Sequence, residues 1–190
     1  MKFQRKVSLS RRRKAQAGLT VMETVIALAM LVIVATGVMG LAGVAVSTTE
    51  TQGHLAARTA EYSQDKMEQL LALKFCDGVT DTTQFPAITV PAGTGLAGCT
   101  NLAAATPTAS AGGGLSLTAP TAGYVDYLDA NGNLVGSGTN WEYIRVWQIT
   151  VPAGSVGLKQ ISVLTQARRA VGGGLTLPQS TVVALKTFPF

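Results

Sequence analysis

The chain has 190 residues, 47% of them hydrophobic and 13% charged, with a formal net charge of +5. That length gives room for one domain of ordinary size, and the apolar content exceeds what such a domain carries when it is soluble throughout. The positive charge does not make a nucleic-acid surface: residues 1–18 hold Lys2, Arg5, Lys6, Arg11, Arg12, Arg13 and Lys14 with no acid, whereas residues 19–190 hold eight basic and ten acidic side chains.

The basic stretch lies directly ahead of an apolar run, and that asymmetry keeps the N-terminal side of a membrane segment in the cytoplasm. Residues 24–49 (TVIALAMLVIVATGVMGLAGVAVSTT) contain no charge. As a helix they would extend about 39 Å at ~1.5 Å per residue, enough to cross a hydrocarbon core of ~30 Å. A cleaved secretory signal has an apolar core of only ~7–15 residues. A plain anchor explains the length and the orientation but leaves the acid at its mouth, Glu23, without a purpose. An acid at the bilayer centre costs roughly 2.5–3.5 kcal/mol, and less near the interface.

Residues 18–23 read GLTVME. Placed after a basic leader and at the start of a long apolar helix, this stretch resembles the processing region of type IV prepilins and the related pseudopilins. The resemblance implies cleavage between Gly18 and Leu19 by a membrane prepilin peptidase, which also methylates the new N-terminus. Leu19 becomes the first mature residue and Glu23 the fifth, its carboxylate pairing with the amine of Leu19 on a neighbouring subunit or the same chain. Two positions depart from the family's habit: Leu19 stands where Phe or Met is commoner, and Gly40 stands where many major pilins carry a proline.

After the apolar run, Leu55, Thr59, Tyr62, Lys66, Met67, Leu70 and Leu73 recur at spacings of three and four, and no proline occurs before Pro86. The pattern predicts one helix from about residue 19 to about residue 74, apolar all round in its first half and amphipathic in its second. Residues 57–73 (ARTAEYSQDKMEQLLAL) resemble the matching stretch of minor pilins of the PilV type.

Cys76 and Cys99 suit an oxidising compartment; paired, they would close a loop worth roughly 3 kcal/mol in the chain-entropy model, and two free buried thiols are the alternative. Residues 77–114 are rich in Ala, Gly, Thr and Pro and read as a connecting loop. Strand signals follow: residues 115–119 (LSLTA), then 124–136, where Asn131 and Gly132 mark a hairpin turn. In residues 141–151, Trp141, Tyr143, Arg145, Trp147 and Ile149 alternate with Glu142, Ile144, Val146 and Gln148. Residues 159–169 and, after a triple-glycine turn, 180–187 complete a set of three to five antiparallel strands.

The expected fold is therefore α+β and pilin-like: a long N-terminal helix on a small antiparallel sheet. Its divisions are a leader (1–18), an apolar helix (19–49), an amphipathic continuation (50–75), a loop (76–114) and a sheet domain (115–190).

No catalytic constellation is present, for there is no phosphate-binding glycine loop, no nucleophile elbow, and a single histidine, His54, without a ligand partner at metal-site spacing. Residues 129–133 (DANGN) suggest a calcium loop, but their glycine precedes the third candidate ligand and the twelfth position is Asn140, so a hairpin fits better. The aromatic strand face reads as core packed on the helix. No enzyme activity, cofactor, metal or nucleic-acid site is expected.

The resemblance implies a minor pilin, a non-enzymatic filament subunit. Its partners are the prepilin peptidase, other pilin subunits and the bacterial inner membrane, and its destination is the pilus at the cell surface. A type II secretion pseudopilin shares every N-terminal feature, and a membrane-anchored binding domain that never assembles is a third reading.

Overall fold

The computed structural model describes residues 20–91, 93–170 and 176–189. The basic leader with Gly18 and Leu19, and the triple glycine at 172–174, lie outside them. The chain divides into two compact units, Met1–Ala45 and Val46–Phe190. One helix, α1 (Val21–Ala72), supplies residues 21–45 to the first and residues 46–72 to the second.

Among the described residues of the second unit ten strands follow: β1 (Thr80–Asp81), β2 (Ile88–Thr89), β3 (Cys99–Thr100), β4 (Thr108–Ala109), β5 (Gly112–Gly113), β6 (Val125–Leu128), β7 (Leu134–Val135), β8 (Tyr143–Thr150), β9 (Leu158–Ala167) and β10 (Gln179–Thr187). The main sheet is antiparallel in the order β10-β9-β8-β6-β7. On the side of β8 away from β9, β6 pairs with its first half and β5 with its second, Val125 facing Val146 and Gly112 facing Ile149.

The five strands of that order match the sequence signals, but the expected strand at residues 115–119 does not form. There the Ala119 N–H donates to Ser116 Oγ at 3.1 Å, a local turn that competes with sheet pairing just ahead of Pro120. Gly112 and Gly113 join the sheet instead. Gly113 has φ +76° and lies so close to β8 that a Cβ would meet the Trp147 carbonyl oxygen at 2.4 Å, so only glycine fits.

The loop is also more ordered than its composition suggests. It contains two small antiparallel pairs, β1 with β2 and β3 with β4, and the Cys76–Cys99 disulfide is formed.

The core lies between the second half of α1 and one face of the sheet. Met67 and Leu70 pack with Leu96, Tyr124, Trp147, Ile149, Ile161 and Val163. Tyr62 packs with Leu128, Tyr143 and Ala167, its ring edge-on to Tyr143 at 5.0 Å. Apart from Leu96, which the loop at 76–114 supplies, these residues lie in the segments whose helical and alternating periods predict a buried face, and the aromatic face of β8 is core as expected. The hairpin at Asn131 and Gly132 is present too. Asp129 holds it by accepting from the N–H groups of Asn131 (2.8 Å) and Asn133 (2.9 Å).

Two lysines tie the loop and the helix end to the sheet. Lys159 on β9 is fully buried and donates to the carbonyls of Phe75 (2.8 Å), Leu96 (2.6 Å) and Gly98 (2.6 Å), which uses all three of its protons. Lys186 on β10 donates to the carbonyls of Leu71 and Leu73 at the C-terminus of α1, whose last turn carries no basic residue of its own.

Candidate functional site

Residues 21–45 of α1 form an apolar surface all round. Every described residue from 20 to 47 is exposed. At ~3.6 residues per turn, Ile33, Met39 and Leu41 point in three well-separated directions, and each is at least 70% exposed. The hydroxyls within the run turn back on the helix, Thr24 Oγ1 donating to the Val21 carbonyl (2.8 Å) and Thr36 Oγ1 to that of Ile33 (2.9 Å). With a mean hydropathy of 2.6 over its most apolar 18-residue window, α1 is long and apolar enough to cross a membrane.

Thr20 opens this helix. The Glu23 N–H donates to the Thr20 carbonyl (3.0 Å) and lies 3.3 Å from Thr20 Oγ1, and the Thr24 N–H also reaches the Thr20 carbonyl (3.2 Å). Thr20 is thus the N-cap and Glu23 the third helical residue, the T-x-x-E spacing of a capping box. The sequence signal was in plain view, because TVME has that spacing. Glu23 therefore has a local role, favourable to the positive end of the helix dipole, whatever it does between chains. Gly18 and Leu19, the other two residues expected at the processing site, lie outside the described residues.

A second constellation lies in the sheet unit, and sequence reasoning missed it. Lys66 on α1 and Asp126 on β6 meet at 3.0 Å, both fully or almost fully buried. Arg145 on β8 grips the same carboxylate in two places, Nε to Oδ1 at 2.8 Å and Nη2 to Oδ2 at 2.9 Å. Its Nη1 reaches the Tyr62 carbonyl (3.0 Å) and Asp65 Oδ2 (3.1 Å). Lys66 also donates to the Thr82 carbonyl (2.6 Å) and lies 3.9 Å over the Trp147 ring.

Burial alone would raise the Asp126 carboxyl, yet Lys66 and Arg145 together hold it below the usual carboxylate range. Burial brings the Lys66 amine down to about 8, against the pull of Asp126. The signal was a basic residue at an inward position on each of two elements. Lys66 stands between Tyr62 and Leu70, Arg145 between Tyr143 and Trp147.

The network underlies an open groove of about 850 Å³, whose walls include Asp65, Gln69, Gln84, Phe85, Asn133 and Arg145. Cys76 and Cys99 lie elsewhere, and among the described residues no group of histidine, cysteine and acidic side chains is arranged to hold a metal ion. No protein-family model, no curated protein and no solved structure matches this chain.

Proposed function

We propose that the chain is a minor pilin, a non-enzymatic subunit that passes from the bacterial inner membrane into a type IV pilus. The observation that carries the reading is the start of α1. GLTVME leads into a helix whose first 25 residues, 21–45, are apolar on every side, while its continuation packs one face on a sheet. An element with apolar residues all round needs lipid or other helices to cover it, and a subunit that exchanges the first for the second uses the same surface twice.

In this reading the peptidase cuts after Gly18, and the new amine of Leu19 becomes the partner of Glu23. A carboxylate and an amine buried together lose hydration, so their pairing contributes register more than stability. Each helix must slide to the one position at which the two charges meet.

Mass spectrometry of the mature N-terminus tests the proposal. Leu19, free or methylated, is the expected first residue; an intact Met1 would overturn it. A strain lacking the protein is expected to lose pili or twitching. Loss of exoprotein secretion with pili intact would assign the chain to a type II secretion system instead.

A further inference from the structure

The groove combines three features that the assembly reading does not use. The first is an aromatic ring held out to solvent. Phe85 is 86% exposed, on a segment that is firmly tied: Asp81 accepts from the Thr83 N–H (2.9 Å), Thr83 Oγ1 (2.6 Å) and Gln84 Nε2 (2.8 Å), and Lys66 takes the Thr82 carbonyl from beneath. A large apolar side chain carried into water by an anchored segment presents a surface for a ligand to cover.

The second feature is charge balance. Asp65 and Arg145 are the ionised side chains of the lining, and they pair with each other at 3.1 Å. A phosphate chain would meet the largely exposed Asp65 carboxylate with no unpaired cation beside it in the lining, so a nucleic acid is disfavoured.

The third is hydrogen-bonding capacity. Gln69, Gln84 and Asn133 each offer both donors and acceptors, and Asp65 and Thr83 Oγ1, whose proton goes to Asp81, add acceptors. A purely apolar ligand would strip these groups of water without replacing it. An added peptide strand would find a ladder of only two residues on the neighbouring edge strand, β7.

A ligand that is neutral, rich in hydroxyls that both donate and accept, and apolar on one C–H face matches all three. We propose that the groove binds a neutral oligosaccharide, with one sugar ring lying on Phe85 and its hydroxyls bonded to Asp65, Gln69, Gln84 and Asn133. The buried Lys66–Asp126–Arg145 network is the scaffold of that site: Lys66 fixes the wall that carries Phe85, and Arg145 forms part of the lining. The volume lies within the ~300–1,000 Å³ of small-ligand clefts.

The test is a printed array of neutral and acidic glycans, with duplex DNA and polylysine spots, probed with the labelled full chain in a zwitterionic detergent free of sugar. The expected result is signal confined to neutral glycans and competed by the same free oligosaccharide. It should fall about tenfold in each of Phe85→Ala and Gln69→Ala, as befits loss of a stacked ring or a buried hydrogen bond. Val183→Ser, on the far edge strand, should bind as the wild type does. A blank array, a signal led by acidic glycans, DNA or polylysine, or binding that survives Phe85→Ala in a protein of unchanged melting temperature would overturn the proposal. None of these outcomes depends on filament assembly.

Discussion

At the scale of single residues, buried charge dominates the second unit. Lys66, Asp126 and Arg145 have each given up almost all of their hydration and are compensated by one another, by nearby carbonyls and, for Arg145, by Asp65. Removing one member strands the rest, so Asp126→Asn should destabilise the fold by about 3–5 kcal/mol in chemical denaturation. Replacing all three with apolar residues of similar volume should cost less than that single change, because no charge is then left unpaired. Lys159 is a different case, with three carbonyls around it and no carboxylate among them. Burial, aided by Lys186, lowers its amine from 10.5 to about 8. Its folded-state value thus lies below the unfolded one, and between those values the unfolded chain binds more protons. Stability contributed at this site therefore rises as pH goes from about 8 towards 10.5. Melting temperatures of the wild type and Lys159→Met, compared at steps across that window, should diverge in favour of the wild type as pH rises.

At the scale of elements, the helix was legible from its regular period and the long strands from their β-branched and aromatic runs. Residues 59, 62, 66, 67 and 70 of α1 are buried, as spacings of three and four require; β9 alternates except at Ser162, and β8 is buried on both faces from Tyr143 to Trp147. What was not legible is what joins elements far apart in sequence. Nothing in STVVALKT marks Lys186 as the cap of a helix that ends more than a hundred residues earlier. The pairing of β5 was hidden for a related reason. GG followed by LSLTA places the strand propensity after the residues that pair, and only the close approach of Gly113 to β8 explains the choice. Lys186→Met should cost about 0.5–1.5 kcal/mol, the value of an ordinary hydrogen bond, and its effect should be local. Amide hydrogen exchange is expected to quicken in the last turn of α1 while the centre of β8 keeps its protection; unchanged exchange in that turn would show that Lys186 is not its cap.

At the scale of the whole molecule, Glu23 belongs to two arguments, and they can be separated. As the third residue of α1 it stands at the capping-box position, its backbone N–H on Thr20 Oγ1, a local role that a neutral glutamine fills nearly as well. As the partner of the Leu19 amine it would need its negative charge, which glutamine lacks. Glu23→Gln should therefore leave the protein at wild-type level in the membrane fraction yet deplete it severely from sheared filaments. Thr20→Ala should do the reverse, weakening the cap by about 1 kcal/mol while the chain still enters filaments. The two variants are compared by immunoblotting membrane and filament fractions against an unchanged major subunit. If Glu23→Gln enters filaments as the wild type does, capping alone explains the acid, and the register mechanism fails even if the peptidase cuts after Gly18.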